Sequence, residues 1–127
     1  MDATVAFDAV LAPVVLERIE PKEPVAPPLL WSEVTAALRQ SVFRGSVPGA
    51  DGRVALERLL VSPIERRAPR RLYEMAWALA AELGWAKTYD AEYVALAQLL
   101  ECPLLTKDAR LARRVERIVE IMGPADL

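Results

Sequence analysis

At 127 residues, 54% hydrophobic and 27% charged, the chain has the size and make-up of one folded domain with a substantial core, and it is too apolar to be disordered. It contains no histidine and a single cysteine, Cys102, which excludes Ser-His and Cys-His catalysis, histidine-ligated zinc, an internal disulfide and any cysteine-rich metal site. A net charge of −2 offers no global attraction for nucleic acid, so any such contact must come from local clusters.

Asp2-Ala3-Thr4-Val5-Ala6-Phe7 opens the chain, which then runs apolar to Leu11. Pro13 suits the first turn of a short helix through Glu20, because its missing N–H is not needed there. Pro21, Pro24, Pro27 and Pro28 break the next stretch and leave room for a short strand near Pro24–Ala26. Ser32 is placed to cap a helix from Glu33 to about Arg44, with Val34, Leu38 and Val42 on one face, and the Gly45–Gly49 loop ends it. Asp51 begins a helix reaching Leu60, and Val61–Glu65 reads as a strand interrupted by Pro63. Pro69 opens a long helix through Leu83, for which Gly84 is the C-terminal cap. A helix over Asp90–Leu100, a strand at Pro103–Thr106, a short helix over Asp108–Arg114 and a last strand at Ile118–Met122 complete the series, closed by Gly123-Pro124. Strands alternating with helices predict a parallel sheet covered on both faces. The expected fold is α/β: a three-layer α/β/α sandwich with a short, mainly parallel central sheet, forming one domain over residues 1–127. No apolar run approaches the roughly 18 residues that span a membrane, and no basic segment followed by an apolar run marks a secretion signal. The expected location is therefore the cytoplasm.

In such a sheet, strand C-termini and the helix N-termini that come after them share the edge where ligands bind. Glu33, Asp90 and Asp108 all fall at that kind of position. Each also has a purely structural explanation, since an acid in the first turn of a helix is favoured by about 0.3–1 kcal/mol and can cap free N–H groups. Asp51 has the same pattern and is assigned no function. Context separates the others. Asp90 sits at the mouth of a helix so apolar, at Val94, Ala95, Leu96, Ala97, Leu99 and Leu100, that it must be the buried central one. Asp108 ends the strand-to-helix junction Pro103-Leu104-Leu105-Thr106-Lys107. Two carboxylates about 4 Å apart repel by about 4 kcal/mol at an effective dielectric of about 20. Converging acids therefore need protonation, basic partners or a divalent cation. Without histidine or clustered cysteine, such an ion would be held by carboxylates, carbonyls and water, which points to Mg²⁺ or Mn²⁺.

The stretch Tyr89-Asp90-Ala91-Glu92-Tyr93-Val94-Ala95-Leu96-Ala97, together with Leu105-Thr106-Lys107-Asp108-Ala109-Arg110-Leu111, resembles the aspartate-led central helix and threonine–x–aspartate strand end of the PIN-domain ribonucleases, especially the small VapC-type toxins of bacterial toxin–antitoxin pairs. Ala26-Pro27-Pro28-Leu29-Leu30-Trp31-Ser32-Glu33-Val34 resembles the segment carrying that family's glutamate. Asp2-Ala3-Thr4 fits the family's acid at the end of the first strand, with a hydroxyl residue two places later. Here the chain departs from the pattern. Only Met1 precedes Asp2, so the first strand is almost absent and its acid is expected on a frayed terminus. Asp8, after Val5-Ala6-Phe7, is the alternative, but it has no hydroxyl residue two places on.

The resemblance implies an endoribonuclease dependent on Mg²⁺ or Mn²⁺, with Asp2, Glu33, Asp90 and Asp108 as the catalytic, metal-holding acids and Thr4 and Thr106 orienting them. It also implies Lys107 and Arg110 on the RNA backbone, a homodimer, and a cognate antitoxin whose arginine reaches the acids, since a guanidinium pairs with carboxylates bidentately. A PIN-like binding module with a broken metal site is a second reading. A nucleotide-binding or phospho-receiver module is a third, but the five glycines form neither GxGxxG nor GxxxxGK[ST]. The arginine clusters at 66, 67, 70, 71 and at 110, 113, 114, 117 read either as solvated helix faces or as phosphate contacts. Trp31, Trp77 and Trp85 read as packing residues, with base stacking as the alternative.

Overall fold

The computed structural model describes Met1–Leu127, and helices dominate it. In chain order these are α1 (Ala3–Leu11), α2 (Pro13–Ile19), α3 (Leu29–Phe43), α4 (Gly49–Leu60), α5 (Leu72–Leu83), α6 (Tyr89–Leu100) and α7 (Ala109–Val115). Four strands of two residues each lie between them: β1 (Val25–Ala26), β2 (Glu65–Arg66), β3 (Leu104–Leu105) and β4 (Ile121–Met122). β1 pairs in parallel with β2, Val25 opposite Glu65, and β3 pairs in parallel with β4, Leu104 opposite Ile121. The parallel α/β character is as expected. The continuous central layer is not what forms, because the strands make two separate pairs.

Met1 and Asp2 bridge the gap between those pairs. The Met1 nitrogen donates to the Val25 carbonyl at 2.8 Å, and the Asp2 amide donates to the Leu105 carbonyl at 3.0 Å. Two consecutive residues thus bond to opposite neighbours, as a central strand does, although they are too few to be a strand. This corrects the expectation of a frayed acid: Asp2 is only 4% exposed.

Helix starts differ from expectation where proline intervenes. Ser32 caps nothing, since α3 already begins at Leu29. Pro27 and Pro28 need no helical N–H partner, and the Leu30 amide reaches the Pro27 carbonyl at 3.1 Å, so the helix starts one turn early. Glu33 therefore lies past the first turn, and the dipole explanation for it fails. The strand expected at Val61–Glu65 shifts to Glu65–Arg66, beyond the donor lost at Pro63. Gly84 does cap α5, at φ 70.

The core is built around α6, in which Ala91, Glu92, Tyr93, Val94, Ala95, Leu96 and Ala97 are all buried. Such continuous burial places the helix in the interior, with its small residues allowing close approach by α5 and β3. α1 buries Val5, Ala6, Ala9 and Val10 against the same interior. α3 and α4 meet closely at Gly52, where an added Cβ would stand 2.5 Å from Val42 Cγ2. Val42 is β-branched and stiff at χ1, so it yields reluctantly. Gly52→Ala is expected to lower unfolding free energy by about 1–2 kcal/mol, overpacking outweighing the better helix propensity of alanine. Gly49→Ala, with Val42 Cγ1 at an ordinary 3.9 Å, should be tolerated, and urea denaturation of the two variants checks the contrast.

Candidate metal centre

Asp2 is the N-cap of α1. Its Oδ1 accepts from the Thr4 amide at 3.1 Å, from the Thr4 hydroxyl at 2.5 Å and from the Val5 amide at 3.4 Å. Its Oδ2 accepts from the buried Thr106 hydroxyl at 2.5 Å. Thr106 Oγ1 in turn accepts from the Asp108 amide at 3.0 Å, and Thr4 Oγ1 accepts from the Lys107 amide at 3.2 Å. Both threonines thus tie the start of α1 to the turn between β3 and α7. Asp108 caps α7 with Oδ1, which receives the Arg110 and Leu111 amides at 3.0 and 3.1 Å. The structural role foreseen for Asp108 is real, but it occupies one carboxylate oxygen.

Asp90 stands in the first turn of α6, a helix whose N-cap, Thr88, makes no side-chain capping bond. It is exposed at the rim, yet the protein around it removes enough water to raise its carboxyl pKa, and Asp108 and then Asp2 raise it further. Glu33 reaches the same region from α3. Burial raises its pKa, the hydrogen bond from Tyr93 works against that, and Asp90 and Asp2 add to the rise. Neither acid is in a salt bridge. Asp2, Glu33, Asp90 and Asp108, drawn from four separated segments, therefore share one repulsive field.

Of the remaining expected residues, Arg110 lines a hollow of about 210 Å³ with Trp85, Asp90, Asp108, Leu111 and Arg114. Lys107 instead pairs with Asp8, Nζ to Oδ2 at 2.6 Å. Asp8, the alternative fourth acid, is not among the groups that raise the Glu33 and Asp90 carboxyls. The pair is exposed and worth about 0–1 kcal/mol, too little to hold the ammonium away from a phosphate.

Two further residues escaped the sequence reading. The Tyr93 hydroxyl donates to Glu33 Oε1. Burial and the Glu33 carboxylate push that hydroxyl far above its usual range, so it remains a donor. Tyr93 lies three residues after Asp90, on the same helix face, and that spacing was the available signal. Glu92 is buried, its carboxyl raised first by burial and then by Glu33. Its position beside a motif acid gave no hint of this.

No group of three or more acids stands close enough to hold a metal ion through protein ligands alone. The donor chemistry nevertheless suits a hard cation. Mg²⁺ keeps several waters and is commonly held by one or two carboxylates, and oxygen is the only donor type these four residues offer.

Residues 3–117 match the PIN domain. The chain belongs to the PIN-domain family. It is 40% identical over 86 residues to the VapC ribonuclease Mb0985 of Mycobacterium bovis, a match covering 68% of this chain and 65% of that protein. It is 44% identical over 89 residues to ribonuclease VapC1 of Mycobacterium tuberculosis, covering 68% and 64%. Ribonuclease VapC12 of the same species is 32% identical over 117 residues, covering 89% and 88%. The chain thus spans just under two-thirds of the first two relatives and most of the third. Among PIN domains it is VapC-like.

Because the pKa values of Asp90 and Glu33 are raised in the folded PIN domain, the folded state binds more protons than the unfolded state between the ordinary carboxylate value and the raised one. The contribution of these two acids to stability must then fall as pH rises through that window and grow as pH drops through it. Without divalent metal, Asp90→Asn and Glu33→Gln should raise Tm at pH 7 by about 1–4 °C, an advantage that shrinks in mild acid. Thermal melts across pH check this, and equal or lower Tm for both variants would contradict the shared field.

Proposed function

We propose that this chain is an endoribonuclease, dependent on Mg²⁺ or Mn²⁺, that hydrolyses RNA phosphodiesters and serves as the toxin of a toxin–antitoxin pair. The observation that carries this reading is that, beyond the rise that burial causes, Asp90 and Asp2 raise the Glu33 carboxyl and Asp108 and Asp2 raise that of Asp90, with no salt bridge to relieve either. Support also comes from relatives named as ribonucleases at 32% to 44% identity.

In this reading the four acids hold the ion directly or through water. Thr4 and Thr106 fix both oxygens of Asp2, and Tyr93 steadies Glu33. Capping of α7 leaves Asp108 one oxygen for the ion. When bound, Mg²⁺ or Mn²⁺ supplies Lewis-acid chemistry, acidifying water and offsetting charge on a phosphodiester. Arg110 and Lys107 approach the RNA backbone from the α7 side.

The same reading carries the remaining expectations. The two strand pairs, joined through Met1–Asp2, form the middle of a three-layer α/β/α arrangement, in a single domain over residues 1–127. No helix is long and apolar enough to cross a membrane, and we place the protein in the cytoplasm. The exposed Tyr73 and Trp77 on α5 offer an apolar face for a homodimer. An antitoxin would present an arginine to the acids, whose uncompensated charge suits a guanidinium. A binding-only module with a disabled site is not favoured, because its motive was a frayed Asp2, and Asp2 is buried and fully engaged.

The test is cleavage of single-stranded RNA with Mn²⁺ or with EDTA, alongside Mn²⁺ binding by calorimetry. Asp90→Asn and Asp108→Asn are each expected to lower the cleavage rate on the order of a hundredfold and Mn²⁺ affinity by about 10-fold or more. A wild-type protein that neither binds Mn²⁺ nor cuts RNA would overturn the proposal. Tyr93→Phe, which keeps the ring and loses the donor, should weaken Mn²⁺ binding by less than the aspartate variants while leaving the fold intact by circular dichroism.

A further inference from the structure

The hollow beside Asp90 and Asp108 has a second, oppositely charged end. There the Arg114 guanidinium lies over the Trp85 ring, 5.1 Å from its centroid, and its Nη2 donates to the Leu83 carbonyl at 2.9 Å. Leu83 ends α5, where terminal carbonyls lack helical partners, so the arginine satisfies a group the helix leaves open. Trp85 is anchored in turn: Gly84 reverses the chain, the Trp85 amide donates to the Ala80 carbonyl at 2.8 Å, and part of the ring packs on the core. Arg110 sits one turn before Arg114 on α7 and lines the same hollow. Neither arginine is in a salt bridge, since the three present use Arg67, Arg71 and Lys107.

An exposed guanidinium over an indole, with a second cation lining the same hollow, suits a phosphate and an unpaired base. Unpaired bases stack on aromatic rings and on guanidinium planes, whereas bases in a duplex are already stacked on each other. A single basic side chain can pair with the acids, but a basic peptide offers Arg110 and Arg114 nothing. RNA satisfies the basic end, and the cation at the acids satisfies the other.

We propose that Trp85, Arg110 and Arg114 form a nucleotide subsite for single-stranded RNA, in which the arginines take the phosphate neighbouring the one at Asp90 and Asp108 and the Trp85–Arg114 stack carries the adjoining base. This rests on the ribonuclease reading of the acids and extends it, because it gives the strand a path off the site along α7.

The test measures binding of a fluorescently labelled single-stranded RNA hexamer by anisotropy at low salt in EDTA, so that no cleavage intervenes. Arg114→Ala is expected to weaken binding roughly 5-fold or more, with the salt dependence reduced by about 0.7 in slope for the lost phosphate contact. Arg114→Lys keeps the charge but not the planar face, so it should restore the slope while recovering only part of the affinity. Arg113→Ala, on the same helix and exposed but outside the hollow, should stay within twofold of wild type. Wild-type binding that is absent, unchanged in both Arg114 variants, or equally weakened in Arg113→Ala would overturn the subsite. Cleavage with Mn²⁺ is scored separately. A protein that binds in the expected pattern yet never cuts loses the ribonuclease reading and keeps the subsite; one that cuts while both Arg114 variants bind normally loses the subsite alone.

Discussion

The hydrogen bond from Thr106 to Asp2 spans 104 positions of sequence and joins the first helix to the last strand-to-helix turn. One carboxylate oxygen closes the N-terminus of α1 while the other holds β3, so α1 cannot move relative to α7 without breaking a buried polar pair. Leaving a buried polar group unpaired costs about 1–3 kcal/mol, more when it is charged, which makes this junction stiff. The backbone of the same residue bonds Leu105, and that of its neighbour bonds Val25. Two residues therefore set the spacing of both strand pairs, and with it the approach of Glu33, Asp90 and Asp108 toward one another.

Holding four like charges near one another opposes folding, and the apolar interior has to outweigh it. α6 is the element that does so. It delivers Asp90 at one end and buries Val94 and Leu96 completely or nearly so behind it. Full burial of such a side chain contributes about 1.5–3 kcal/mol, comparable with the repulsion between a pair of partly solvated carboxylates. Asp90 stands at a helix mouth backed by a continuously buried run of side chains. This local conflict, tolerated because the surroundings over-determine it, is characteristic of a functional site.

Much of this was legible in the chain, for a physical reason. Signals that act within a few residues were readable: Gly84 as a cap, Pro13 at a helix start, Asp108 at the β3–α7 junction, the apolar run of α6. Ser32 misled because a competing local signal, the Pro27-Pro28 pair, begins α3 earlier. Pairing across long separations could not be read. Met1 with Val25 and Asp2 with Leu105 make two residues do the work of a strand, and no pattern two residues long can announce that. Tyr93 meets Glu33 across 60 positions, and Lys107 meets Asp8 across 99. The sequence held every one of these side chains but none of their partnerships.

Asp8 and Asp2 are held by different kinds of partner, a lysine at Asp8 and threonine hydroxyls with backbone amides at Asp2. Lys107 pairs with Asp8 in an exposed bridge, and Asp8 is not among the groups that raise the Glu33 and Asp90 carboxyls. Asp2 is instead held by two hydroxyls and two amides, groups that fix its orientation without supplying a full positive charge. Each hydroxyl spends its proton on Asp2 and accepts an amide on its other side, from Lys107 to Thr4 and from Asp108 to Thr106. The accepted amide decides which way each hydroxyl points, and β-branching limits the rotamers from which it can do so. Neutral donors therefore fix Asp2 where it acts on Glu33 and Asp90, and in the proposed reading a hard divalent cation would relieve that repulsion.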